Sequence, residues 1–192
     1  MTGKLSLLFV SLVAVPLSLF AQSSDSAPAR ESASTPANPI SASQAKIYTF
    51  LSGVVVAAAE KMPEENYSFK PTDSVRTFGQ LVGHLADSQY YFCSSVSGED
   101  KPSGSVEKTK TSKADLVSAL KEAVAYCGKT YASMTDAKGS EMTKAMNADF
   151  AKLAVLAINT AHDYEHYGNM VTYMRIKGIV PPTSEKSPGA TK

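Results

Sequence analysis

The stretch Cys93–Cys127, CSSVSGEDKPSGSVEKTKTSKADLVSALKEAVAYC, decides how the helices of this chain are arranged. Its first residues close one helical pattern and its second half carries another. Between them Gly98 to Thr111 is polar, with Gly98, Pro102 and Gly104, and reads as a loop. Cys93 lies 15 residues beyond Phe78, where the first pattern begins, and Cys127 lies 15 residues beyond Ser112. In antiparallel neighbours the two cysteines would stand roughly 15 Å out of level at 1.5 Å rise per residue, whereas a disulfide needs Cα atoms within about 7 Å. Parallel helices make them level. The 14-residue loop reaches over about 40 Å, more than the ~30 Å length of a 20-residue helix. A Cys93–Cys127 disulfide thus implies two parallel helices joined by a crossover; the alternative is a pair of buried thiols.

Outward from this stretch, four segments carry helical periodicity and none a sustained two-residue alternation. The first runs from about Ser43 to Met62, with Ile47, Leu51, Val54, Val55 and Ala58 as apolar positions and Pro63 as its stop. The second, Phe78 to Ser97, sets Phe78, Leu81, Val82, Leu85, Phe92 and Val96 on one stripe. The third runs from Ser112 to Met134, where Ser112 followed by Asp115 resembles a capping box. The fourth runs from about Asn147 to Lys177, with Gly178 and Pro181 beyond it. Together they predict an all-α four-helix bundle, up-down-down-up, with the long crossover between the second and third helices.

The ends belong to other categories. Residues 1–21 read as a signal peptide: Lys4 precedes an apolar run from Leu5 to Phe20, and Ala21 offers a small residue for cleavage. The rival reading is a retained anchor, although the run is short for a span and is interrupted by serines. Residues 22–43 are rich in Ser, Ala and Pro and predict a disordered linker, and residues 180–192 a flexible tail, leaving 44–179 as one domain. The chain has 19 Lys and Arg against 18 Asp and Glu. Cleavage removes Lys4 and balances them, so a nucleic-acid partner is not expected. Export to the periplasm or the medium, with no stable membrane insertion after processing, is the expected localisation.

The chain has only three histidines. His162 and His166 are four apart, about 40° around a helix, so that one metal ion can reach both. They share a direction with Val155, Ile158, Asn159, Asn169, Met170 and Tyr173, while Tyr164 and Arg175 point away. The inward face is therefore apolar at its ends and polar in the middle. Buried imidazoles need partners; a metal would serve, as would a satisfied core pair. His84 lies at the edge of the second helix's stripe, at a depth within little more than a turn of His166 in an antiparallel pair. Asp87, one turn on, either orients an imidazole or is an exposed helix carboxylate. Asp163 and Glu165 flank the histidine stripe; solvated positions or surface ion pairs are the expected reading, with a general base beside a metal site as the alternative.

Three segments carry a family resemblance: His84-Leu-Ala-Asp87-Ser88, His162-Asp-Tyr-Glu-His166-Tyr-Gly168-Asn169, and Tyr173-Met-Arg175-Ile-Lys-Gly178-Ile-Val-Pro181-Pro182. Over roughly Gln44 to Pro182 the chain resembles the DinB/YfiT-like superfamily. The resemblance implies an up-down-down-up bundle and a divalent metal ion (Zn, Ni, Mn or Fe) held by His84, His162 and His166 with positions open to water or ligand. It also implies frequent homodimers. Members include metal-dependent hydrolases and transferases or isomerases that use low-molecular-weight thiols. The export signal and the cysteine pair depart from many cytoplasmic members, and export disfavours the thiol branch because such thiols are cytoplasmic. The expected activity is a metal-dependent hydrolase acting on a small molecule, with a bound water as nucleophile. The alternatives are a non-catalytic metal- or small-ligand-binding bundle or a thiol-dependent transferase.

Overall fold

The first long helix, α1, spans Pro39–Lys61, four residues ahead of the expected start at Ser43. Proline at its first turn has the right φ and no N–H left unpaired. Residues 39–43 are thus helical and do not belong to a linker. The computed structural model describes residues 37–185; the signal segment, most of the expected linker and the end of the tail lie outside them. The next helix, α2 (Phe78–Ser97), starts on a capping box in which the Gln80 amide N–H donates to Thr77 Oγ1 (3.1 Å) and the Thr77 N–H to Gln80 Oε1 (2.8 Å). It ends on Gly98, whose φ of 75° suits glycine.

The expected loop after α2 contains a short helix, α3 (Val106–Thr109). Helix α4 (Lys113–Ser133) begins at Ser112, whose hydroxyl accepts from the Asp115 N–H at 3.1 Å. A short α5 (Asp136–Gly139) follows, then a two-stranded antiparallel sheet, β1 (Met142–Ala145) with β2 (Ala148–Ala151), in register Ala145 to Ala148. The last helix, α6 (Lys152–Ile176), starts five residues later than expected because 148–151 form β2. The described residues are therefore mostly helical, in keeping with the all-α expectation, with a small two-stranded sheet that the sequence reading did not include.

Pairwise contacts give the directions of the long helices. Gly79 and Leu116 meet near the starts of α2 and α4, and Cys93 and Cys127 are disulfide-bonded near their ends with Cα atoms 5.2 Å apart. These contacts set α2 and α4 side by side in the same direction. Helix α6 runs against α2, with Tyr173 bonded to Arg76 and Asn159 to Gln89 at successive levels. Helix α1 runs against α4, since Ser41 reaches Asp136 while Glu60 meets Lys121.

Two apolar clusters fill the interior. One gathers Leu51, Phe78, Leu85, Leu120, Met170 and Met174; the other gathers Tyr48, Phe92, Val96, Tyr131, Val155 and the cystine. Along both α2 and α6 a polar band separates them: Ser88 and Gln89 on one, Asn159, Thr160, Asp163 and His166 on the other, all buried. Ile47, expected in the interior, is 43% exposed, and α1 packs through Tyr48, Leu51 and Val55 instead. No helix among the described residues is long and apolar enough to cross a membrane.

Candidate metal centre

The three histidines converge at the edge of the polar band. His84 on α2 places Nε2 3.1 Å from His162 Nε2, and His166 Nε2 stands 3.1 Å from the same atom. One nitrogen from each ring lies within 4.8 Å of the other two. Helical geometry supplies His162 and His166 from successive turns of α6, and the antiparallel packing of α2 supplies His84. Burial pushes all three imidazoles below their ordinary range. For His162 the pKa falls to about 4, with His166 adding to the effect of burial. At His84, burial acts first and Arg76 and His162 reinforce it against Glu107; at His166, burial acts first and His84 reinforces it. Neutral imidazoles each present a lone pair, as metal ligation requires.

The donor set suits a cation better than it suits itself. A neutral ring has one N–H and one acceptor nitrogen, so His162 Nε2 cannot hold proper hydrogen bonds to two imidazole nitrogens together. His162 Nδ1 is buried and has no hydrogen-bond partner among the described residues. The two 3.1 Å separations approach the ~3.3 Å expected of two nitrogens each about 2.05 Å from one tetrahedral ion. One ion shared by the three rings would satisfy all the convergent lone pairs.

Other expected residues sit elsewhere. Asp87 does not orient an imidazole. Its carboxylate accepts from the N–H groups of Val106 (2.7 Å) and Glu107 (3.1 Å) and from Ser105 Oγ (2.6 Å), capping α3. The carboxylate at His84 is Glu107, with Oε2 3.3 Å from Nδ1. Asp163 is neither solvated nor ion-paired. It has no exposed surface, and burial raises its pKa to about 7, opposed by the Gln89 amide that donates to both its oxygens at 2.7 and 2.8 Å. Asp163 is thus engaged with Gln89 in the interior and is not among the groups that converge with the histidine nitrogens. Glu165 is exposed, as expected.

Gln89 and Glu107 were not among the expected residues. Gln89 had a signal: it interrupts the apolar stripe between Leu85 and Phe92 at helical spacing, which marks a buried polar group. Glu107 had none, because its position depends on how the crossover folds. Two clefts adjoin the histidines. One, of about 430 Å³, is bounded by His84, His162, Tyr91, Phe92 and Lys101. The other, of about 810 Å³, is bounded by His166, Glu165, Arg76, Asn169 and Tyr173.

The model of the DinB superfamily matches residues 51–170, more than half the chain and a span that includes all three histidines. The chain belongs to the DinB superfamily. Among relatives of this DinB member is the YjoA protein of Bacillus subtilis strain 168, 26% identical over 126 residues, covering 62% of this chain and 79% of that one. The fold is shared with the crystal structure of a DinB-like protein from Bacillus cereus ATCC 10987, at a TM-score of 0.64 and 14% identity, covering 71% of this chain and 92% of that chain. It is shared also with that of YjoA, at a TM-score of 0.62 and 20% identity, covering 75% and 99%.

Proposed function

We propose that this DinB member is an exported metal-dependent hydrolase, an up-down-down-up four-helix bundle whose divalent ion is held by His84, His162 and His166. The observation that carries the reading is the convergence of three neutral imidazole nitrogens within 4.8 Å of one another, two of the separations being 3.1 Å. Bound there, a divalent ion supplies Lewis acidity for activating water or polarising a carbonyl. The chain's own residues supply the rest. Phe92 packs edge-on against His162, ring centroids 5.8 Å apart, and gives the smaller cleft an apolar wall. The two clefts give a small molecule access, and Glu165, on the wall of the larger one, is the carboxylate placed to take up a proton. Export is supported by the apolar N-terminal run and by the cystine, which suits an oxidising compartment. A homodimer belongs to the same proposal, supported by the exposed Ile40, Ile47 and Phe50 along α1.

A specific observation favours a second reading, a non-catalytic metal or ligand binder. Among the described residues no carboxylate joins the three converging histidine nitrogens: Asp163 is bonded to Gln89 and Glu107 meets only the Nδ1 side of His84. Metal analysis of the purified protein and of the His84→Ala, His162→Ala and His166→Ala variants tests the site. One equivalent of metal in the parent and less than about a tenth in each variant is expected from losing one of three protein ligands; unchanged content in all three rejects it. Metal-loaded protein is then assayed on a panel of esters and amides. Turnover abolished by a chelator supports the hydrolase, and turnover that survives chelation removes the ion from the reaction. No turnover on any member leaves the binder.

A further inference from the structure

We propose that Glu107 is a positioning residue of the histidine site, brought to His84 by the docked crossover and braced by Arg76. The proposal rests on the metal-centre reading above. Four observations build it. A Cβ on Gly83 would lie 2.6 Å from the Glu107 Cα and 2.9 Å from its backbone nitrogen, so α3 can rest on α2 only because residue 83 is glycine. One turn later Asp87 accepts from the Val106 and Glu107 N–H groups and from Ser105, fixing the crossover's height on α2. Between these two anchors stands His84, its Nδ1 3.3 Å from Glu107 Oε2. The other carboxylate oxygen takes the Arg76 Nε at 2.8 Å, and the Arg76 carbonyl accepts from Tyr173 on α6 at 2.9 Å.

The chemistry follows from the imidazole's two nitrogens. A carboxylate beside Nδ1 favours the tautomer with the proton there, which leaves the Nε2 lone pair aimed at His162 and His166. Arg76 holds that carboxylate in place through its Nε. Glu107 lies on the Nδ1 side of His84 and acts on the proposed ion through that ring. The segment that the parallel α2–α4 pairing makes necessary thereby also orients one histidine of the site.

The test uses the full chain with Glu107→Ala, Glu107→Gln and Gly83→Ala, checked for folding by circular dichroism. Long-range ¹H–¹⁵N correlation spectra of metal-free protein read the His84 tautomer, and competition with a chromophoric chelator reads zinc affinity. In the parent, His84 is expected to carry its proton on Nδ1. Glu107→Ala should mix the tautomers and weaken zinc binding by roughly 10–100-fold, the range found when outer-shell partners of ligating histidines are removed. Glu107→Gln, whose amide oxygen still accepts from Nδ1–H, should keep the tautomer and restore most of the affinity. Gly83→Ala should behave like Glu107→Ala with the carboxylate still present. An unchanged tautomer and unchanged zinc affinity in Glu107→Ala overturn the proposal. A parent that binds no zinc or other divalent ion defeats the metal reading instead, and the tautomer spectra still decide whether Glu107 governs His84.

Discussion

Asp163 lies wholly inside the protein with a single side-chain partner, the amide of Gln89, whose oxygen in turn accepts from Tyr48 and from Asn159 at 3.1 Å each. Gln89→Leu would remove the carboxyl group's donor and leave several buried polar atoms unpaired. At about 1–3 kcal/mol for an unsatisfied buried group, the variant is expected to lose about 3 kcal/mol of stability in urea unfolding. A loss below about 0.5 kcal/mol, the size of an ordinary surface change, would show that the band tolerates disorder. His162 and His166 were legible because spacing alone puts them on one face. Asp163, one residue from His162, was not. It lies at the border of that face, and whether a border position is buried depends on which neighbouring helix covers it.

Helix α1 borrows its N-terminal cap from a distant segment. Asp136 of α5 accepts from the Ser41 N–H (2.7 Å), the Ser41 hydroxyl (2.8 Å) and the Ile40 N–H (3.2 Å). The Ser41 backbone donor, then its hydroxyl and the Ile40 donor, hold the Asp136 carboxyl below its usual range against the opposing effect of desolvation. Its folded pKa is therefore depressed. The stabilisation is full above the unfolded value of about 3.9 and is lost as pH falls through the folded value. Asp136→Asn is expected to melt a few degrees below the parent at neutral pH, with the gap closing under acid; a gap that persists at low pH would assign the effect to packing. Other starts were readable from sequence, as at Ser112, because their caps are local. The α1 cap escaped notice since donor and acceptor lie 95 residues apart. The β1–β2 hairpin escaped for a different reason: its strands have four residues each, and its turn uses Met146 (φ 50°) and Asn147 (φ 63°) where glycine would have advertised it.

Across the whole molecule, the disulfide spans 34 residues and ties the parallel pair at the end away from Gly79 and Leu116. Chain-entropy arguments give such a closure about 3–4 kcal/mol. The Cys93→Ser/Cys127→Ser double variant is expected to lose about that much, read from denaturant midpoints at unchanged m-value; a difference under ~1 kcal/mol would mean that packing between α2 and α4 already provides the constraint. The direction of these helices was legible in the cysteine depths and the length of residues 98–111, since both are counted along the chain. The α3 helix and its contacts were not, because Gly83 gains meaning only when another backbone lies against it.

The cystine brackets the crossover, and that has a consequence for what a protease can do to the chain. A cut in the exposed stretch 99–104 severs the polypeptide between Cys93 and Cys127, yet the two pieces stay covalently joined through sulfur. The nicked molecule should migrate as one band without reductant and as two with it. Its α3 would remain seated on α2 through Asp87. Continuity of the main chain and integrity of the histidine site are in this way separable properties.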